Sequence, residues 1–394
     1  MASIPARDIP TKALMVEEPG GPFILRDVIL DEVRSDEALV EMKYTGLCHT
    51  DIIVQQGAIP IGNYPAVLGH EGAGIVRRVG SDLAATKSLE PGDNVLLSFS
   101  SCESCTACRQ GRNGACPRMT EINFGGARGL DPAVSPISTV AGKPVRGQFF
   151  GQSSLSKLAI VSGRSVVKCD ADPADLPFLA PLGCGYLTGA GSVFNVLRPG
   201  KESTFVVLGI GAVGLAALLA AKAEGVETVV AVDIVDEKLE LARSLGASHT
   251  INTKLVTHLE SGLRTLFPNG VDRVLDTTGV RALQQSSLNS LGHEGALAFV
   301  GVSRPGNTIE IDPFKIMMNC NRVIGMIEGD ANPAQVVPRL VQLYRDGKFP
   351  VDKLSKVYSA NYIDKALHEL HAGKVCPPYF FWVNTYAHFR SLNR

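Results

Sequence analysis

Residues 204–233 constrain the fold more tightly than any other stretch. The apolar run Val206-Val207-Leu208 feeds Gly209-Ile210-Gly211-Ala212-Val213-Gly214, and helical spacing then continues over Val213–Gly225. Strand, G-x-G-x-x-G turn and helix in direct succession open a dinucleotide-binding βαβ unit. Gly209 permits the tight turn, Gly211 lets the backbone approach a pyrophosphate, and Gly214 lets the helix pack closely on the strand. A second apolar run, Thr228–Asp233, closes on an acid at about the spacing expected for a ribose 2′-hydroxyl ligand. The charge of Asp233 would repel a 2′-phosphate, and Ile234 and Val235 supply no arginine to offset it, so NAD is preferred to NADP.

Further short apolar runs, Asp272–Asp276 and Ala296–Val302, alternate with helical segments such as Asp236–Gly246, as expected for a doubly wound parallel sheet. The first half reads differently. Ala38–Tyr44, Gly74–Val79 and Asn94–Ser98 are short strand-like stretches bounded by Gly, Pro or Asp, which predicts a compact β-rich domain. Two helix candidates, Pro333–Asp346 and Tyr362–Ala372, and the strand-like Tyr379–Val383 close the chain.

Four of the nine cysteines crowd into Cys102-x2-Cys105-x2-Cys108-x7-Cys116. Short x2 spacers let neighbouring thiols converge on one tetrahedral zinc, and four thiolates leave no position open, so this lobe is expected to be structural. Redox cysteines or disulfides are the competing readings, disfavoured in a chain that looks intracellular. Cys169, Cys320 and Cys376 are expected to be packing residues.

Three more segments carry ligand types: Cys48-His49-Thr50-Asp51, His70-Glu71 and Cys184. Singly each is bland, since a lone Cys is commonly a small core residue and a lone His a satisfied structural one. Together Cys48, His70 and Cys184 form the three-ligand set of a zinc with a fourth position open. Asp51 is then the carboxylate that takes the other ring N–H of His70, and Glu71 a transient ligand or neighbouring charge. Zinc with an open position acidifies an alcohol oxygen placed there, so that its carbon can pass hydride to NAD+.

Lys+Arg 38 against Asp+Glu 39 leaves a net charge of −1, with no basic footprint for nucleic acid. Met1–Thr11 has no apolar core of a signal peptide, and Ser391–Arg394 matches no address signal. The uncharged run Ser203–Ala221 is nearly long enough to span a bilayer, yet its glycines read as strand, turn and helix start. A cytoplasmic protein without a membrane span is the expectation.

GxCHTD, GHEGAG, PGDNV, the four-cysteine lobe, GCGxxTGxGS and GxGxVG occur in an order that resembles the zinc-dependent medium-chain alcohol dehydrogenases, over essentially the whole chain after Thr11. The resemblance implies an α/β fold, with a β-rich GroES-like catalytic domain at 1–185, its structural-zinc lobe at about 100–117, a Rossmann NAD domain at 186–325, and a C-terminal part, 326–394, returning to the catalytic domain. It implies two Zn2+ per chain, and that Glu71 approaches the catalytic zinc when the fourth ligand leaves. Thr50 would hydrogen-bond the substrate hydroxyl, His49 would sit by the pyrophosphate, Thr188, Val213 and Val302 would line the nicotinamide side, and Asp233 and Lys238 would hold the adenosine ribose. Many members carry a relay histidine where this chain has Ile53. That apolar replacement resembles the aryl- and allylic-alcohol branch, including benzyl alcohol dehydrogenases, and a greasier pocket, to which Phe149 and Phe150 either add aromatic wall or contribute only core packing. The implied activity is interconversion of a primary, aromatic or allylic, alcohol and its aldehyde by a homodimer or homotetramer. An aldehyde reductase of a specialised pathway and a catalytically retired NAD-binding scaffold are the alternatives.

Overall fold

The computed structural model describes residues 4–58, 64–129, 134–256, 258–354, 356–371 and 378–381. The chain groups into two compact units, one of residues 1–97, 123–180 and 355–394, the other of 98–122 and 181–354. The division differs from the sequence expectation at three boundaries. The first unit gives way to the second after Ala180 and not at 185, so that Cys184 falls in the second. The four-cysteine segment belongs to the second unit, and the return to the first occurs at Ser355. Packing within the second unit accounts for the last two. Helix Pro333–Arg345 sets the Arg339 guanidinium 3.7 Å from the centre of the Phe194 ring, and Gly114 closes so tightly on Ile327 that a Cβ would lie 2.1 Å from its carbonyl oxygen.

The first unit is β-rich. A five-stranded sheet starts from the antiparallel pair Ile9–Val16 and Ile24–Leu30, two strands the sequence patterning did not single out. A seven-stranded sheet is centred on Glu37–Gly46, which pairs antiparallel with Glu71–Val79 and is joined by the C-terminal strand Pro378–Phe381. The expected strand Tyr379–Val383 is thus described as far as Phe381; Trp382, Val383 and Cys376 lie outside the described residues. Buried Val40, Met42, Val76, Val95, Leu97 and Val161 fill the space behind this sheet, as the alternation of the strands requires.

In the second unit, Thr204–Leu208, Thr228–Asp233, His249–Asn252, Val271–Asp276, Leu291–Phe299 and Arg322–Gly325 form a six-stranded, wholly parallel sheet. Val206, Leu208, Val230, Val274 and Leu297 are fully buried, the mark of strands covered on both faces. The apolar run 203–221 resolves into strand Thr204–Leu208 and helix Ala212–Ala223, and no helix among the described residues is long and apolar enough to cross a membrane.

Candidate active site

In the first unit, Cys48 caps the N-terminus of helix His49–Gln55, so the ligand-type side chains come at a strand-to-helix turn directly after Glu37–Gly46. Asp51, fully buried, organises them. Its Oδ2 accepts the Cys48 backbone N–H at 3.0 Å, while Oδ1 accepts the Gly69 N–H at 2.9 Å and meets His70 Nδ1 at 3.1 Å. One carboxylate therefore ties the backbone of one candidate ligand to the ring of the other. Burial alone would lower the pKa of His70, but the charges of Asp51 and Cys48 outweigh it and hold it well above the ordinary value.

With Nδ1 committed to Asp51, the fully buried His70 Nε2 has no hydrogen-bond partner among the described residues, and it stands within 4.8 Å of the Cys48 sulfur. A buried ring nitrogen left unpaired beside a thiol is costly unless a cation takes the proton's place. Zinc therefore fits. Thr50 Oγ1 lies 3.7 Å from Cys48 Sγ, Ile53 is half-buried on the same helix and His49 is exposed. Glu71, 1% exposed, begins the strand opposite Gly46, where a Cβ would lie 2.0 Å from its Oε2.

Phe149 and Phe150 are core residues, each 3% exposed. Phe150 stacks on the His70 ring at 4.5 Å with planes 27° apart, and Phe149 meets it edge-on at 5.6 Å. The core-packing alternative thus describes them, with the added effect of clamping the imidazole. Phe150 does this from a left-handed backbone, φ 53°, unusual for an aromatic residue and a mark of local strain.

In the second unit, the sulfurs of Cys102, Cys105, Cys108 and Cys116 lie within 4.8 Å of one another. Cys102 and Cys108 are 3.9 Å apart, close to the roughly 3.8 Å edge of a tetrahedron with zinc–sulfur bonds of about 2.3 Å. The backbone N–H of Cys105 points at Cys102 Sγ, and that of Cys108 at Cys105 Sγ. Amides around Ser104 and Cys105 bring the Cys102 thiol down to about 6, while burial pushes Cys108 up to about 11. Four crowded sulfurs in this state call for a shared cation, and the described cysteines, all free thiols, form no disulfide here. Cys169 is buried as expected, whereas Cys320 is exposed at a left-handed φ of 52° and is no packing residue.

The dinucleotide loop has the expected geometry. Gly209 turns at φ 87°, and a Cβ on Gly214 would stand 1.9 Å from the Gly209 carbonyl oxygen, so helix and loop meet there only without a side chain. Gly279, with φ 66°, and Gly301 likewise close on backbone at the carboxyl ends of neighbouring strands, leaving a side-chain-free cradle that suits a dinucleotide. Asp233 does more than the sequence suggested: Oδ2 accepts the Ile210 N–H at 2.7 Å and Oδ1 the N–H groups of Ile234 and Val235, so it braces the loop from the adjoining strand end. Lys238 and Val213 are half-buried, and Val302 is 69% exposed.

Cys184 and Thr188, both buried, open helix Gly185–Gly191. Beside them is a residue the motif reading passed over. Glu328 accepts the Thr188 hydroxyl on Oε2 at 2.9 Å, and its Oε1 is 3.9 Å from Cys184 Sγ. An acid just beyond the carboxyl end of a parallel strand, Arg322–Gly325, was the signal available for it.

Residues 34–170 match the alcohol dehydrogenase GroES-like domain and residues 212–345 the zinc-binding dehydrogenase domain. Geraniol dehydrogenase of Castellaniella defragrans is 35% identical over 371 residues, 94% of this chain and 97% of its own length. The crystal structure of benzyl alcohol dehydrogenase from Acinetobacter calcoaceticus superposes with TM-score 0.88 at 35% identity, covering 95% of this chain and 99% of that one. An alcohol dehydrogenase zinc-binding domain protein from Burkholderia ambifaria gives TM-score 0.90 at 37% identity over the same shares of the two chains.

Proposed function

The chain belongs to the zinc-binding alcohol dehydrogenase family, and from that premise we propose that its own reaction is the interconversion of a primary aromatic or allylic alcohol and its aldehyde. It is a zinc- and NAD-dependent alcohol oxidoreductase acting on small molecules. The substrate class is what the proposal adds. It is carried by Ile53, an apolar side chain on the helix that also presents Thr50, and it accords with the names of the geraniol and benzyl alcohol dehydrogenases that the chain resembles.

In this reading Cys48, His70 and Cys184, a group able to hold a metal ion, are the ligands of the catalytic zinc, and Cys102, Cys105, Cys108 and Cys116 those of the structural one. When bound, zinc polarises the substrate oxygen and NAD accepts the hydride. Asp51 holds His70 in the tautomer whose Nε2 faces the metal, and Phe150 fixes the ring plane. Thr50 hydrogen-bonds the substrate hydroxyl; with Ile53 where a relay base would stand, the proton leaves by water or by the exposed His49. Glu71, buried opposite Gly46, would be an exchangeable ligand. Gly209, Gly211 and Gly214 receive the pyrophosphate with His49, Asp233 and Lys238 the adenosine ribose, and Thr188, Val213 and Val302 the nicotinamide side. A homodimer or homotetramer belongs to the reading, supported by the exposed Phe314, Met317 and Met318, as does a cytoplasmic setting, supported by the free thiols.

The substrate class is tested by comparing kcat/KM for benzyl alcohol, cinnamyl alcohol, geraniol and ethanol with NAD+. We expect the bulky alcohols to exceed ethanol by about 100-fold or more, the discrimination a few methylenes of apolar contact supply. Equal or better turnover of ethanol would exclude the aromatic and allylic class while leaving the family intact.

A further inference from the structure

The four-cysteine lobe reaches the surroundings of Cys184 from two directions, both inside the second unit. Where the chain enters the lobe, Ser98 is fully buried, four residues before Cys102. Its hydroxyl donates at 2.6 Å to the carbonyl of Gly183, the residue that precedes Cys184. The second arm lies between Cys108 and Cys116 and meets the turn Glu328–Asp330. A Cβ on Gly114 would lie 2.1 Å from the Ile327 carbonyl oxygen and 3.1 Å from the Asp330 Cα. Arg112 Nη1 stands 3.8 Å from Asp330 Oδ2, and the Ala115 N–H donates to the same carboxylate. The two arms are tied to each other where Asn113 Nδ2 donates to Ser101 Oγ at 2.8 Å.

The turn that receives the second arm is strained. Glu328, Gly329 and Asp330 have left-handed backbones at φ 51°, 61° and 49°, and two of the three are not glycine, so the packing around them must impose that shape. The lobe supplies one side of the packing. Helix Gly185–Gly191 supplies the other, where a Cβ on Gly329 would come 2.7 Å from the Gly191 Cα. Wedged between them, the turn places Glu328 Oε1 3.9 Å from Cys184 Sγ and Oε2 2.9 Å from Thr188 Oγ1. The lobe therefore bears on the backbone of Cys184 through Gly183 and on the surroundings of its sulfur through Glu328. The lobe's own shape depends on its metal, because helices as short as Thr106–Arg109 and Asn113–Ala115 do not persist alone. We propose that the four-cysteine lobe is a positioning element for Cys184, so that metal bound in the lobe raises the metal affinity of the site to which Cys184 belongs. The inference rests on the reading of Cys184 as a ligand of the catalytic zinc. Such coupling is reciprocal: each metal tightens the other by the same factor.

The probe is cobalt, titrated into the full chain after a chelator has emptied the second site and left zinc in the lobe. Thiolate-to-cobalt charge-transfer bands then report occupancy and ligand geometry together. Wild type is compared with Gly114→Ala, with Cys105→Ser/Cys108→Ser, which disables the lobe, and with all three substitutions combined. In Gly114→Ala the new Cβ drives the lobe off the Ile327 carbonyl while its four cysteines stay. We expect that variant to keep its lobe zinc, to bind cobalt about 10–100-fold more weakly and to shift the bands. Disabling the lobe should give the same loss and shift, and the combined variant should be no weaker, since both changes sever one connection. A lobe that only staples the fold would lower the melting temperature of these variants without moving cobalt affinity or spectrum. That result, or losses that add in the combined variant, would overturn the proposal. Should these variants fail to fold, or Gly114→Ala lose its lobe zinc, Ser98→Ala decides. It removes the hydrogen bond to Gly183 and should lower cobalt affinity about five-fold, the net worth of one such bond, whereas unchanged affinity would overturn the proposal. A wild type that takes up no cobalt beside its lobe zinc would overturn the reading of Cys184 as a ligand, and the inference with it.

Discussion

At the scale of single residues, Asp51 decides more than either proposed ligand beside it. Three donors converge on its two oxygens: the backbone N–H groups of Cys48 and Gly69 and the His70 ring. An asparagine has one acceptor oxygen and brings two donors of its own, so Asp51→Asn leaves at least one buried N–H facing another. We predict that Asp51→Asn binds its catalytic zinc 10–100-fold more weakly in a chelator competition, with the four-cysteine zinc retained. Unchanged affinity would show that Asp51 has no part in holding His70 for the metal. Asp51 was legible in the sequence because it stands three residues from a cysteine at a helix start, where side chain and backbone meet by local geometry. Phe150 was half legible: an aromatic pair could be seen, but its stacking on His70 depends on a left-handed φ that nothing in a Phe-Phe dipeptide foretells. Glu328 was missed for the same kind of reason. Its place is set by Gly329 meeting Gly191, a contact between residues 138 positions apart.

Among the elements, the parallel sheet was read well and the β-rich half less so. Helices expected at Val213–Gly225 and Asp236–Gly246 occur as Ala212–Ala223 and Asp236–Ser244, because apolar runs buried on both faces and helices closed by glycine are local signals. The pairing of Ile9–Val16 with Ile24–Leu30 is not local, and the half-exposed second strand, with its Arg26 and Asp27, hides the alternation. The four-cysteine lobe was plain from spacing, but its packing on Ile327 and Asp330 was not, since it needs Gly114 to bring backbone against backbone. The lobe has short helices, Thr106–Arg109 and Asn113–Ala115, which cannot stand without a staple. Cys105→Ser should therefore lose one zinc per chain and lower the unfolding midpoint by about 5 °C or more, read by metal analysis and a thermal melt. A variant that keeps both metals and its melting point would contradict a structural role for the lobe.

For the whole molecule, the proposed reading is that neither unit carries the reaction alone. Cys48, Thr50 and His70 are supplied by the first, Cys184 and the glycine loop by the second, and the proposed ligand set draws on both. In that reading the three-ligand zinc keeps an open position, which has little structural use and sets it apart from the closed lobe. The most direct measurement is therefore the zinc content and alcohol-dependent NADH formation of wild type and Cys184→Ala side by side. We predict two zincs per chain and turnover for the wild type, and for Cys184→Ala a folded protein with one zinc and NADH formation reduced by at least about 1000-fold, as expected when the chemistry loses its Lewis acid. Turnover by Cys184→Ala at a rate near the wild type, or two zincs retained in it, would contradict the claim that Cys184 completes the catalytic site.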